Sequence, residues 1–119
     1  MNIAVIGTGY VGLVVGACMA ETGNNVICVD IDNERVKQLQ NSIIPIHEPG
    51  LDVIVKRNCD ASRLTFTTDT AEAVSKSKIV FLAVPTPMDE DGSADLAHVL
   101  SAARTLAPAI NDYKIIVNK

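Results

Sequence analysis

The sequence predicts an α/β protein with a doubly wound parallel sheet, and two observations lead to that prediction. Short apolar runs that suit buried strands alternate with stretches that suit amphipathic helices along all 119 residues. The first run, Ile3 to Ile6, is followed directly by glycines in G-x-G-x-x-G spacing and then by a helical stretch. Such alternation brings the strands together as parallel neighbours through right-handed crossovers.

The glycine motif comprises Gly7, Gly9 and Gly12, and each glycine answers a separate physical need. Gly7 lets the chain turn sharply off the strand, Gly9 removes a Cβ where a pyrophosphate must approach, and Gly12 lets the helix pack closely. Gly16 and Ala20 continue this small-residue face toward the sheet. Phosphate oxygens would meet unpaired N–H groups at the positive end of the helix. A tight turn without a ligand is the competing interpretation.

A second apolar run, Val26 to Val29, ends at Asp30. This acid lies close to the offset of about 20 residues at which a carboxylate holds the 2′-hydroxyl of a dinucleotide's ribose, which indicates a Rossmann-type fold. A 2′-phosphate ~4 Å from Asp30 would be repelled by about 4 kcal/mol at an effective dielectric constant of about 20. The sequence therefore favours NAD over NADP.

Two further charged residues follow this acid. Asp32 competes for the ribose, but it opens the predicted helix 32–41 and suits its N-cap, so we assign the ribose to Asp30. Arg35 stands one helical turn on, where an arginine could serve a 2′-phosphate. A supporting contact with the ribose or adenine of NAD, or simple solvation, is the preferred interpretation of Arg35.

The remaining elements follow from apolar spacing and capping residues. Residues 42–50 predict an ordered loop, because two prolines and a glycine interrupt its isoleucines. The predicted segments are helix 51–57, strand 64–67, helix 70–75 capped by Thr68 or Asp69, strand 78–84, helix 94–106 capped by Ser93, and strand 113–117. The last helix should bury an apolar stripe made of Leu96, Val99, Leu100 and Ala103.

Thr86 lies between two prolines directly after the predicted strand 78–84. A loop at the carboxyl end of a buried parallel strand opens into the crevice where such sheets bind ligands. The prolines hold Thr86 stiffly, so we expect it to contact the cofactor. An exposed acidic turn without a ligand is the alternative.

Composition and charge exclude several classes of protein. Apolar residues make up 48%, which excludes disorder, yet no apolar run reaches the ~18 residues of a membrane span. A net charge of −4 without a Lys/Arg cluster argues against a nucleic-acid partner. The start of the sequence lacks the pattern of a signal peptide, so a cytoplasmic location is expected.

The sequence contains three cysteines, Cys18, Cys28 and Cys59, without a C-x-x-C pair. Neither His47 nor His98 falls at zinc-ligand spacing from them, so no metal site is expected. Free thiols in a reducing compartment are the favoured interpretation. Cys59 is predicted to lie in a polar loop and to be the accessible one.

Four blocks of the sequence together resemble one known family. They are MNIAVIGTGYVGL, VDIDNERVKQL, PIHEPGL and VPTPMDEDGSADL, and the match runs on to IIVNK at the end. The chain is similar, over almost its full length, to the UDP-glucose/GDP-mannose dehydrogenase family. The Gly-Tyr-Val-Gly variant and the Glu-Pro-Gly-Leu block are together far more specific than the glycine spacing alone.

The resemblance implies NAD-dependent oxidation of a nucleotide sugar's 6-hydroxyl to a carboxylate through two successive hydride transfers. It implies that the backbone around Tyr10 and Val11 meets the pyrophosphate and that Asp30 meets the adenosine ribose. Arg35 would be the basic residue near that ribose, and Thr86 the cofactor-contacting threonine. The family's catalytic groups would lie beyond residue 119, so this chain should bind NAD and, alone, catalyse nothing.

Residues 1–119 are thus expected to form a single NAD-binding Rossmann domain, the N-terminal fragment of a larger enzyme. UDP-glucose is the expected substrate, bound through the absent C-terminal part, and the full-length enzyme is expected to be a homo-oligomer. GDP-mannose, UDP-N-acetylmannosamine and UDP-N-acetylglucosamine remain alternatives. A non-enzymatic module that senses a dinucleotide is a further one.

Overall fold

A computed structural model describes residues 1–45, 48–84, 97–110 and 113–118 of the chain. Five parallel strands form one sheet: β1 (Asn2–Ile6), β2 (Asn25–Val29), β3 (Leu64–Thr67), β4 (Ile79–Leu82) and β5 (Ile115–Asn118). The helices are α1 (Tyr10–Glu21), α2 (Asn33–Gln40), α3 (Leu51–Asp60), α4 (Thr70–Lys76) and α5 (Ala97–Leu106), with a 3₁₀ turn at Ala107–Ala109. The predicted doubly wound parallel sheet is confirmed.

The strand order, β3-β2-β1-β4-β5, reverses direction between β1 and β4. Ile6, the last residue of β1, pairs with Val29 on one side and with Leu82 on the other. The three central strands therefore end at the same level. In open α/β sheets, the crevice at such a reversal is where ligands bind.

The core has two layers because β1 sends alternate side chains to opposite faces of the sheet. Ile3 and Val5 join a cluster with residues of α1, α2 and α3, whereas Ala4 and Ile6 join one with residues of α4 and α5. All four side chains are at most 5% exposed. Burial on both faces explains why the first strand is an unbroken apolar run.

Helix α1 packs very closely on the sheet through its small residues, as predicted. Gly12, Gly16 and Ala20 are all buried. A Cβ at Gly16 would lie 2.6 Å from Cys28 Sγ, closer than real Cβ contacts come. A larger residue would therefore require the Cys28 side chain or α1 itself to shift.

Most predicted elements are confirmed, with shifts at their ends. Helix α3 continues to Asp60 rather than stopping at Arg57, and β4 covers only residues 79–82. Asp69 caps α4 by accepting a hydrogen bond from Glu72 N–H at 3.0 Å. Ser93 and the predicted start of the last helix lie outside the described residues.

The predicted stripe of the last helix is wrong at Leu100, which is 52% exposed. Leu106 (4% exposed) and Ala102 make the contacts with the core instead. They are four residues apart, so the buried face of α5 is rotated relative to the predicted one. Leu96 lies outside the described residues.

Asn58 is a buried polar residue that links α3 to the end of α1. It is fully buried, donates to Ile54 O at 2.8 Å and accepts from Arg63 Nε at 2.9 Å. Arg63 Nε also contacts Ala20 O at 3.2 Å. These bonds satisfy the polar groups that folding removes from water.

Two of the three thiols differ from expectation in exposure. Cys18 is exposed on α1, Cys28 is buried in β2, and Cys59 is half-buried within α3 rather than in a loop. The prediction that Cys59 is the accessible thiol is therefore wrong. Burial raises the pKa of the Cys28 thiol to about 12, and burial followed by the neighbouring Asp60 carboxylate raises the pKa of Cys59.

We expect Cys18 to react first with an aromatic disulfide reagent near pH 8, and Cys28 not to react in the folded chain. With a pKa of about 12, only about one Cys28 thiol in 10⁴ is ionised at that pH. The reaction is followed by the absorbance of the aromatic thiol that the reagent releases. Its fast phase should be missing in Cys18→Ser, and Cys28 should react only when the protein is unfolded in denaturant. Fast labelling of Cys28 in folded protein would contradict the buried position of β2.

Candidate functional site

A cleft of about 620 Å³ opens at the carboxyl ends of β1, β2 and β4. The loop after β1 forms one wall, and the end of β2 with the start of α2 forms a second. Residues of α4 and α5 complete it. Most of the predicted site residues line this cleft, namely Gly7, Gly9, Tyr10, Val11, Asp30 and Arg35.

The turn into the cleft requires glycine at Gly7 and Gly12. Gly7 has φ +104°, where L side chains are rare, and its N–H donates to Val29 O at 2.7 Å. A Cβ at Gly7 would lie 2.7 Å from Ala83 O, and one at Gly12 would lie 1.9 Å from Gly7 O. Both glycines are needed by the fold itself, and Gly12 lies behind the cleft lining.

Gly9 is different, because the fold does not require it. Its φ of −70° suits any L-residue, and apart from its chain neighbours no atom of the described residues lies within 4 Å of a Cβ built there. The space above Gly9 belongs to the cleft. Gly9 is the N-cap of α1, a position where glycine is common, and its open side leaves room for a ligand to approach the backbone.

The amino end of α1 faces the cleft with N–H donors that the helix itself leaves without acceptors. The first intrahelical bond runs from Leu13 N–H to Gly9 O at 2.9 Å, so the N–H groups of Tyr10 and Val11 have no acceptor within the helix. Gly9 provides no side-chain cap, and the first turn contains no acid. Asp32 and Asp69, in contrast, cap α2 and α4. This positive helix end suits an anion.

Asp30 is held firmly at the second wall of the cleft. Its Oδ2 accepts hydrogen bonds from the N–H of Thr8 at 3.1 Å and from the Thr8 hydroxyl. Its Oδ1 accepts from Asp32 N–H at 3.0 Å. A carboxylate has about four acceptor positions, so about one remains for a ligand hydroxyl.

Arg35 and Asp32 complete the charges around this acid. Arg35 Nη1 lies 3.8 Å from Asp30 Oδ2, with the arginine side chain 41% exposed and the aspartate 12%. Asp32 accepts from Glu34 N–H at 3.0 Å and from Arg35 N–H at 3.2 Å. The prediction that Asp32 caps the helix is confirmed.

The sequence analysis missed several residues at the cleft. Thr8 gave no signal because it is a variable position of the motif. Ile31 lines the cleft beside Asp30 and is 88% exposed. In the sequence it is only an apolar residue within a turn, which does not indicate a site. Thr70, Ser101 and Thr105 also line the cleft, from helices whose approach depends on the tertiary fold.

Tyr10 connects the glycine loop to the segment before α3. Its hydroxyl donates to Glu48 Oε2 at 2.8 Å, and this hydrogen bond raises the pKa of the Tyr10 hydroxyl. Thr86, the remaining predicted site residue, lies outside the described residues.

The described part of the chain contains neither a candidate metal site nor a membrane-spanning helix. Within it, no group of three or more His, Cys, Asp and Glu side chains could hold a metal ion. Within the same residues, no helix has the length and apolar character needed to cross a membrane.

A known family model matches the whole chain, residues 1–119: "UDP-glucose/GDP-mannose dehydrogenase family, NAD binding domain". UDP-glucose 6-dehydrogenase TuaD of Bacillus subtilis is 54% identical over 99% of this chain, and UDP-glucose 6-dehydrogenase of Pseudomonas aeruginosa is 52% identical over 100%. The chain spans about a quarter of each relative's length, 26% in both cases.

Solved structures agree with the family match. A ternary complex of GDP-mannose dehydrogenase from Pseudomonas aeruginosa has a TM-score of 0.96 and 32% identity, covering 99% of this chain and 28% of that one. UDP-glucose dehydrogenase from Pyrobaculum islandicum has a TM-score of 0.94 and 36% identity, covering 98% and 28%. The chain therefore belongs to the UDP-glucose/GDP-mannose dehydrogenase family and is an NAD-binding domain of that family.

Proposed function

We propose that the chain holds NAD for a UDP-glucose 6-dehydrogenase, which oxidises UDP-glucose to UDP-glucuronate in two hydride transfers. The observation that carries the proposal is one cleft in which an uncapped helix end lies beside a firmly held carboxylate. The first suits a pyrophosphate and the second suits a ribose hydroxyl.

Each predicted site residue then has a proposed role toward the cofactor. The N–H groups of Tyr10 and Val11 would bind the pyrophosphate above Gly9, while Gly7 and Gly12 keep the loop and helix in contact. Asp30 would accept a hydrogen bond from the adenosine ribose, with Arg35 beside it. Thr86 is proposed as a cofactor contact from the sequence alone. Bound NAD would accept hydride from the sugar, while this chain's residues hold it in position.

The choice of NAD rather than NADP follows from charge. The Asp30 carboxylate would repel a 2′-phosphate, while Arg35 would attract one. Arg35 is already paired with Asp30 at 3.8 Å and is partly solvated, so its attraction is weakened. The Asp30 carboxylate, only 12% exposed, is less screened by water than Arg35, so its repulsion dominates and NAD is preferred.

UDP-glucose is proposed as the substrate because relatives that share more than half of this chain's residues carry that name. The GDP-mannose enzyme has almost the same backbone at 32% identity, so the shape of this domain does not select the sugar. We place sugar selection and catalysis in the rest of a longer protein, along with assembly into a homo-oligomer. A cytoplasmic location is part of the proposal, consistent with free cysteines.

Calorimetric titration of the chain with NAD, NADP and UDP-glucose tests the cofactor half of the proposal. We expect binding of NAD, weaker binding of NADP and no binding of UDP-glucose. The product of the complete gene, assayed by NADH absorbance, tests the substrate half: UDP-glucose should be oxidised in preference to GDP-mannose and UDP-N-acetylmannosamine. Preference for another nucleotide sugar would reject UDP-glucose, and absence of oxidation with retained NAD binding would favour a sensor.

Gly9→Ala should weaken NAD binding strongly while disturbing the fold only slightly. A methyl group there meets no atom of the described residues within 4 Å, apart from its chain neighbours, but would occupy the proposed path of the pyrophosphate. We expect NAD affinity to fall by at least about tenfold, which corresponds to about 1.4 kcal/mol. The melting temperature should fall only slightly, because alanine is a poorer N-cap than glycine. Gly12→Ala is the matched control, because its Cβ would lie 1.9 Å from Gly7 O and should lower the melting temperature. Normal NAD binding by Gly9→Ala would exclude the pyrophosphate from this position.

Asp30→Ala should weaken NAD binding and lower the ratio of NAD affinity to NADP affinity. The variant loses a charge-assisted hydrogen bond to the ribose, worth about 1.5–3 kcal/mol, and removes the repulsion of a 2′-phosphate. Calorimetry with both cofactors measures the two effects. Asp60→Ala, which removes an exposed acid on α3, should leave both affinities unchanged. If Asp30→Ala kept the same preference for NAD over NADP, another group would have to bind the ribose.

A further inference from the structure

We infer that Thr8 is a positioning residue for Asp30 and, through it, a determinant of the preference for NAD over NADP. The inference rests on the proposed role of Asp30 at the adenosine ribose. Thr8 occupies the first variable position of the glycine motif and is only 1% exposed. Its hydroxyl and its N–H both donate to Asp30 Oδ2. One residue thus supplies two donors to one carboxylate oxygen.

The hydroxyl is the part of Thr8 that the backbone cannot replace. Any residue except proline would offer the N–H, but only a side-chain donor adds the second bond to Oδ2. A buried hydroxyl needs an acceptor, and a charged acceptor makes the bond stronger than a neutral one. With Asp32 N–H on Oδ1 at 3.0 Å, both carboxylate oxygens are held. Asp30 is therefore oriented before any cofactor arrives.

Orientation matters for selection because a held carboxylate cannot rotate away from a 2′-phosphate. Without the Thr8 hydroxyl, Oδ2 keeps only the backbone donor, and the Asp30 side chain gains rotational freedom. Arg35 Nη1, at 3.8 Å from the same oxygen, would then be freer to face a 2′-phosphate. Loss of the hydroxyl should accordingly weaken NAD binding more than NADP binding.

Thr8→Val removes the hydroxyl and keeps the shape of the side chain. Calorimetry on the 119-residue chain should show NAD affinity reduced about tenfold and the ratio of NAD to NADP affinity reduced at least about threefold. Thr8→Ser, which retains the hydroxyl, should restore the ratio. Ser77→Ala is the matched control: its hydroxyl is also buried and donates to Ala73 O at 2.7 Å, at the far end of α4. It should lower the melting temperature without changing the ratio.

An unchanged ratio in folded Thr8→Val overturns the inference, and Thr8→Ala gives the same test if the valine variant does not fold. Asp30→Ala distinguishes this failure from failure of the proposed function. If Asp30→Ala narrows the ratio and Thr8→Val does not, only the role of Thr8 is rejected. If neither does, the ribose assignment itself is rejected. In the Asp30→Ala background, Thr8→Val should have no further effect on the ratio, because the group it positions is absent.

Discussion

The contact between α1 and the turn after β1 is the constraint on which the rest of the structure depends. Gly12 lies so close to the carbonyl of Gly7 that no Cβ fits between them, and Gly7 in turn lies against Ala83 at the end of β4. This contact joins α1 to the two central strands at the point where the strand order reverses. It also leaves the amino end of the helix facing an open cleft. The contact between Gly7 and Gly12 therefore determines both how α1 packs on the sheet and how its amino end faces the cleft.

The three glycines of the motif separate these two consequences. Gly7 and Gly12 are explained by backbone conformation and by neighbouring protein atoms, and would be needed without a ligand. Gly9 is not required in this way, since its conformation is ordinary and the described residues leave the space beside it open. As the N-cap of α1 it gains only the modest preference of that position for glycine. Substitution of Gly9 is therefore the change that should affect the proposed ligand path more than the fold.

The fold was largely predictable from the sequence because its signals are local. Apolar runs of strand length, the glycine turn and the capping aspartates Asp32 and Asp69 each act over a few residues. Errors occurred where tertiary contacts decide. Leu100 fits a helical stripe, yet α5 packs on the core through another face. Similarly, nothing in the local sequence indicates that Asn58 is buried and hydrogen-bonded to Arg63. The cleft residues of α5, Ser101 and Thr105, depend on the same unpredictable rotation.

Among the charged features of the cleft are the positive amino end of α1 and the negative Asp30 carboxylate. The first turn of α1 contains no acid, and the partly buried Asp30 carboxylate is already held by Thr8 and Asp32. If Asp30 were free, it could turn toward the helix end and compete with a phosphate for the same N–H groups. In the proposed binding mode, the held carboxylate meets a ribose hydroxyl while the helix end meets the pyrophosphate. A dinucleotide would then satisfy both groups in one orientation.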